Sequence, residues 1–344
     1  MLRSILLVTA AAAALAGCQD TGASRDQIKI VGSSTVYPFT TAVAEAFVNR
    51  DSSRKAPVVE STGTGAGMKL FCAGVGSQHP DIVNASRRIK KSEYETCQSN
   101  GVGEIQEIQV GIDGIALAEN KKGPGLQLTK KDVYLALAAN PGGKPNTAKT
   151  WRDVNPALPA VPIQVYGPPS TSGTRDAFVE LIMNKGCEAA TPEVKAFKDS
   201  DKEKFEAQCS RLREDGVYVD KGENDNLIVQ NLSTNPNAIG LFGYSYLEEN
   251  ADKLVGAPID GVAPSYQTIV DGSYPGARPL FIYVKKRHIK AVPGLSEFLG
   301  QYVEMWGPDG ELVKRGLIAA PDDIRAASAA IVEKGTPLDP ATLH

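Results

Sequence analysis

The sequence predicts an α/β fold in two lobes with a ligand cleft between them, and three observations carry that prediction. First, β-rich runs are followed three times by a loop of Ser, Thr and Gly and then by apolar residues at helical spacing. In open α/β sheets such loops gather at the carboxyl ends of strands, where ligands bind. Second, 344 residues are enough for two lobes of ordinary domain size. Third, 42% hydrophobic and 22% charged residues are the composition of a globular protein with a sizeable core.

From the start of the chain, residues 1–17 carry one early cation, Arg3, and an apolar run over residues 5–16. That run is shorter than the about 20 residues of a membrane span. It reads as a secretory signal, outside the fold. The run ends in Leu15-Ala16-Gly17-Cys18, which resembles the lipobox of bacterial lipoproteins. That resemblance implies lipidation at Cys18, with the modified cysteine as the first residue of an anchored chain. Residues 18–27 are small and polar, as a tether should be. A formal net charge of −3 offers no basic stripe for nucleic acid. An anion would have to be drawn by local dipoles.

The fold opens with a short strand at residues 28–31 and the loop Gly32-Ser33-Ser34-Thr35-Val36-Tyr37-Pro38-Phe39, then a helix marked by Ala42, Val43, Ala46 and Phe47. A strand over 57–60 leads into Ser61-Thr62-Gly63-Thr64-Gly65-Ala66-Gly67 and a second helical pattern. This is not a nucleotide loop. The dinucleotide fingerprint needs glycine where Met68 stands, and no Gly-Lys-Ser/Thr follows. The third loop, Pro169-Ser170-Thr171-Ser172-Gly173-Thr174-Arg175-Asp176, follows a strand over 161–166 and turns into a helix. Its first-turn N–H groups lack intrahelical partners and carry partial positive charge. Ser172 and Thr174 add hydroxyls, Gly173 admits a ligand to the backbone, and Arg175 offers a forked guanidinium. A phosphate-sized group fits that chemistry. An ordinary N-cap fits the same residues.

Residues 105–118 are strand-rich but interrupted by Gly111, Asp113 and Gly114, and the first crossing between lobes is placed there. A helix follows over 128–138, and residues 174–218 are largely helical and charged, with the run 198–206 a solvated face. A helix over 224–231 and a buried strand over 238–244 precede the return crossing at 253–257. The lobes are therefore 28–112 with 254–344, and 113–253. The last part reads as a strand over 279–284 and helices over 295–306 and 322–333. Tyr37, Phe39 and Tyr244 either wall the cleft or join the core. Besides Cys18 there are four cysteines, Cys72, Cys97, Cys187 and Cys209. An even number in an exported chain suggests two disulfides, most simply Cys72 to Cys97 and Cys187 to Cys209, although three pairings are open. No CxxC pair and only three histidines, His79, His288 and His344, argue against a zinc site.

Gly32-Ser33-Ser34-Thr35, Gly63-Thr64-Gly65-Ala66-Gly67, Ala85-Ser86-Arg87, Ser172-Gly173-Thr174-Arg175 and Phe242-Gly243-Tyr244 occur in the order of one family, with Arg278-Pro279-Leu280-Phe281-Ile282-Tyr283-Val284 near the end. In this the chain resembles the PstS-type phosphate-binding proteins. The resemblance implies a periplasmic-binding-protein fold of type II that closes on inorganic phosphate and passes it to the permease of an ABC importer. It implies a monomeric receptor in the periplasm, with no catalytic residue, metal or cofactor. Carried over by position, it implies phosphate contacts from Ser34, Thr35, Thr64, Ser86, Ser172, Gly173 and Thr174. Arg175 follows the Ser-Gly-Thr triplet, where well-known members place their arginine a few residues earlier. Arg87 stands where they have an aspartate that accepts the phosphate's proton. Arg87 is expected at the anion, with Asp113 or Asp176 taking over as acceptor or with weaker selection against sulfate. The remaining readings are a receptor for sulfate, molybdate or tungstate, and an exported phosphatase. The latter lacks a Gly-x-Ser-x-Gly elbow and histidines in the loops.

Overall fold

The protein is described here from a computed structural model covering residues 26–198, 200–222 and 224–343. The expected leader, Cys18 and most of the tether lie outside these residues. Short β-branched runs set up the first half. Strand β1 (Lys29–Gly32) pairs in parallel with β2 (Val58–Ser61) and β3 (Ile82–Ala85), with Ile30 opposite both Val59 and Ile82. The long β9 (Ala277–Lys285) runs antiparallel to β3 and lies against β4 (Ile105–Asn120). Alternation along β9 splits the core, as strand geometry requires. Leu280, Ile282 and Val284 pack with helix α1 (Tyr37–Arg50) and with residues of Leu295–Met305. Phe281 and Tyr283 point the other way, onto Met68 and Phe71 of α2 (Thr64–Phe71). Both faces are covered, so the strand is apolar from Pro279 to Val284.

Strand β4 carries the chain from one half to the other without a break. Its residues 105–114 pair with β9, and 115–119 pair with β7 (Ile239–Gly243), while β8 (Leu254–Gly256) pairs with 118–120. The glycines that looked like interruptions mark a register shift at Gly111 and the change of partner after Gly114. A Cβ on Gly114 would meet the Ile318 side chain at 2.7 Å, so glycine is what lets the segment from 317 onward cover the strand here. The second half adds β5 (Val165–Gly167), parallel to both β6 (Tyr218–Asp220) and β7. Its helices between 173 and 210 are short pieces joined by π-helical turns at Val179–Met183 and Glu206–Ser210.

The segment after β8 packs with the second half. Leu254, Ala257, Ile259, Ile269 and Tyr274 share the core of the second half with Leu117, Trp151 and Phe242. The chain re-enters the first half only where β9 begins, at Ala277, because β8 completes the second sheet instead of leaving it. Of the three pairings open to the cysteines, the structure has Cys72–Cys97 and Cys187–Cys209, one local loop in each half.

Candidate functional site

In the first lobe, three parallel strands end side by side, so the residues after β1, β2 and β3 emerge along one edge. Backbone contacts tie them together. Gly32 has φ 128°, and a Cβ there would meet the Asn84 carbonyl oxygen at 2.2 Å. Only glycine allows β1 to turn this close to β3. Thr62 and Gly63 both donate their N–H to the Gly32 carbonyl, at 2.9 and 2.8 Å, and Ser33 N–H donates to Asn84 O at 3.0 Å. The Ser86 N–H donates to Thr64 Oγ1 at 3.1 Å, and the two hydroxyls lie 3.0 Å apart.

Because β9 runs antiparallel to β3, its first residues overhang the same edge. Arg278 stands there, buried. Its Nη2 donates to Thr35 Oγ1 at 2.9 Å, and its Nε lies 3.4 Å from Oδ2 of Asp113, its partner across the β4–β9 ladder. Its Nη1 pairs with Glu180 of the second lobe. Burial pushes the Asp113 carboxyl up, with the Arg278 charge pulling against it.

The second lobe answers with the loop after β5. Ser172 caps helix α3 (Gly173–Phe178), its Oγ accepting from Thr174 N–H at 3.2 Å. A Cβ on Gly173 would come within 3.1 Å of Thr35 Cα, so the two loops nearly touch across the cleft. Arg175 lies 4.3 Å over the Tyr218 ring and donates to Pro168 O at 3.4 Å. Tyr218 donates its own O–H to the same carbonyl at 2.6 Å, and burial pushes its pKa up to about 12, so it stays a neutral donor. Asp176 Oδ2 accepts from Ser34 Oγ at 2.5 Å, joining the lobes a second time.

Between these groups is a cleft of about 720 Å³. Of the residues predicted from sequence, Ser34, Thr35, Thr64, Ser86, Arg175 and Asp176 line it. Ser172, Gly173 and Thr174 stand between the lining residues Ser170 and Arg175 but do not line the cleft themselves. Arg87 is the exception: its guanidinium forks onto Glu93, at 2.9 and 2.7 Å, and does not line the cleft. The cause is local, since Glu93 stands in the first turn of the helix Lys91–Ser99, six residues on and within easy reach. Asp113 stands behind Arg278, whereas Asp176 faces the cleft. Phe39 and Tyr244 belong to the core, and the aromatic wall of the cleft is Tyr218 instead.

Arg278, Glu180 and Tyr218 are among the lining residues that the sequence did not single out for a role. Arg278 could have been suspected from its place just before a long apolar strand, where a buried charge needs a reason. The cleft thus combines hydroxyl and backbone N–H donors with guanidiniums, among them those of Arg175 and Arg278, a set suited to a tetrahedral oxyanion. No cluster of three or more metal-ligating side chains occurs among the described residues. His288 is paired with Asp81 at 2.6 Å, away from the cleft.

A sheet in two halves, linked by β4 and by the start of β9, with donor loops facing each other across a cleft, defines a two-lobed solute-binding protein. Residues 19–302 match the family model of the PBP superfamily domain. The chain is 35% identical to Protein SphX of Synechococcus elongatus over 88% of this chain and 81% of that protein. It is 32% identical to the phosphate-binding protein PstS of Staphylococcus saprophyticus, over 89% and 84% respectively. The crystal structure of a possible phosphate binding protein from Planctomyces limnophilus superposes with a TM-score of 0.71 at 28% identity, covering 90% of this chain and 98% of that one. The chain belongs to the PBP superfamily and, within it, to the family of the PstS and SphX proteins.

Proposed function

We propose that this protein binds inorganic phosphate outside the cytoplasmic membrane and delivers it to the permease of an ABC importer. The observation that carries the reading is the meeting of strand-end donor loops from both lobes in one cleft. Ser34, Thr35, Thr64 and Ser86 supply donors from the first lobe. Ser172, Gly173, Thr174 and Arg175 supply the backbone N–H groups of a helix start, hydroxyls and a cation from the second. Closing the lobes would strip water from the anion and set it against fixed dipoles, where electrostatic attraction strengthens. The lobes are residues 28–112 with 277–343, and residues 113–276, hinged where β4 changes partner and where β9 begins. The chain acts as a monomer, held at a bacterial membrane by a lipid on Cys18. Arg87 stays with Glu93, and Asp176, which lines the cleft, is an acid available to the anion.

Isothermal titration of the protein, stripped of bound anion, tests this reading. Tight binding of one phosphate per chain, undisturbed by excess sulfate, is expected. Binding of sulfate, molybdate or tungstate in place of phosphate would keep the receptor and overturn its substrate.

A further inference from the structure

Arg175 and Arg278, which face each other from the two lobes' sides of the cleft, are not equivalent. Arg175 is stacked on Tyr218 and tied to Pro168 O, at the rim of the second lobe. Arg278 is 8% exposed, and its two terminal nitrogens face a hydroxyl of the first donor loop and a carboxylate of the opposite lobe. That carboxylate, Glu180, follows Asp176 by four residues, and Asp176 holds the Ser34 hydroxyl. Two side chains of the second lobe therefore occupy donors that the first lobe directs into the cleft. A carboxylate and a phosphate accept from guanidinium in the same forked geometry.

The charges also decide which contact can yield. Arg278 is one positive charge between two carboxylates, Asp113 and Glu180. A phosphate dianion cannot join them until one leaves. Asp113 is fixed behind the guanidinium on β4, its side chain 15% exposed, whereas the Glu180 side chain is 58% exposed and can turn into water at small cost.

We propose that Arg278 is the cation that meets the bound phosphate, and that Glu180 is an internal counter-ion which the anion displaces. This rests on the phosphate reading above. Anion affinity is then set partly by a competitor built into the opposite lobe, and Glu180 leaves Arg278 as the anion arrives.

Titrating phosphate into the wild type, Glu180→Gln, Arg278→Lys and Arg175→Ala tests it. Glu180→Gln is expected to bind phosphate about two- to fivefold more tightly, the scale of a part-exposed ion pair. Arg278→Lys, which keeps the charge but loses the fork, is expected to weaken binding by about tenfold or more, and by more than Arg175→Ala does. Unchanged or weaker binding by Glu180→Gln would overturn the proposal, as would an Arg278→Lys variant within about twofold of wild type. Should Arg278→Lys lose its fold by circular dichroism, the sign of the Glu180→Gln effect decides alone. A wild type that takes no phosphate contradicts the phosphate reading separately, and the same comparison with the oxyanion it does bind then decides on Arg278.

Discussion

The two sides of the cleft are built on different principles. On the first lobe, three adjacent parallel strands end together, and their loops are stitched to one another through Gly32 O, Asn84 O and Thr64 Oγ1. Donor positions there follow from main-chain geometry. On the second lobe side chains set the edge: the Ser172 hydroxyl is spent on a helix cap, Arg175 leans on an aromatic ring, Asp176 and Glu180 reach across, and residues between 206 and 220 add a second stretch of lining. On the proposed reading, the first lobe is a preformed half-site and the second brings the side chains that respond to the anion. Strand topology does not make the difference, since β5 is parallel to both β6 and β7 and the second lobe also places three carboxyl ends in a row. The difference lies in the side-chain contacts of Ser172, Arg175, Asp176 and Glu180.

The strongest way to break the contrast is Gly32→Val. Its φ of 128° and the 2.2 Å approach to Asn84 O leave no room for a side chain, so the first-lobe loops must part. A loss of about 3 kcal/mol or more in unfolding free energy is expected, with phosphate binding abolished. Thermal unfolding should show it, and a stability close to wild type would mean that the half-site is not preset.

Removing one hydroxyl on each side gives smaller effects that sharpen the comparison. Thr64→Val leaves the Ser86 N–H without its acceptor and should cost about 1–3 kcal/mol in chemical denaturation. Tyr218→Phe keeps the ring under Arg175 but loses the bond to Pro168 O, and should cost about 1 kcal/mol. Equal costs would remove the distinction between a stitched and an adjustable side.

The smallest effect is expected at Arg87→Ala, which should leave phosphate affinity within about twofold by titration because that fork is committed to Glu93. A larger loss would return Arg87 to the site. Burial works to raise the Glu93 pKa, but hydrogen bonds from Arg87 and the Lys90 N–H bring it below the ordinary carboxylate value. A lowered acid contributes stability that is present above the unfolded-state pKa and is lost as pH falls through the lowered folded value. Arg87→Ala should therefore unfold with a flatter dependence on pH in the acid range, checked by denaturation between pH 2 and pH 6, roughly the span of carboxylate titration.

Much of the plan was legible because local chemistry carried it. Three loops of Ser, Thr and Gly, each between a β-rich run and an apolar helical pattern, named Ser34, Thr64 and Arg175 as neighbours of one cleft before any coordinate. Cysteine count and spacing favoured the two bridges. What stayed hidden depends on distant pairing. Arg278 reaches the cleft only because β9 runs antiparallel to β3, a register that residues 277–285 do not announce. Glu93 captures Arg87 through a helix start that the sequence reading passed over, and β8 keeps residues 254–276 in the second lobe by pairing with β4. Gly111 and Gly114 read as breaks because glycine punctuates isolated strands, whereas inside this long strand they make room for covering side chains.

The most direct test of a site shared between a preset and an adjustable half is the structure of the phosphate complex. The account predicts one anion accepting from the first-lobe group of Ser34, Thr35, Thr64 and Ser86 and, at the same time, from the helix start at Gly173 to Arg175. An anion held by one lobe alone, or seated outside this cleft, would contradict it.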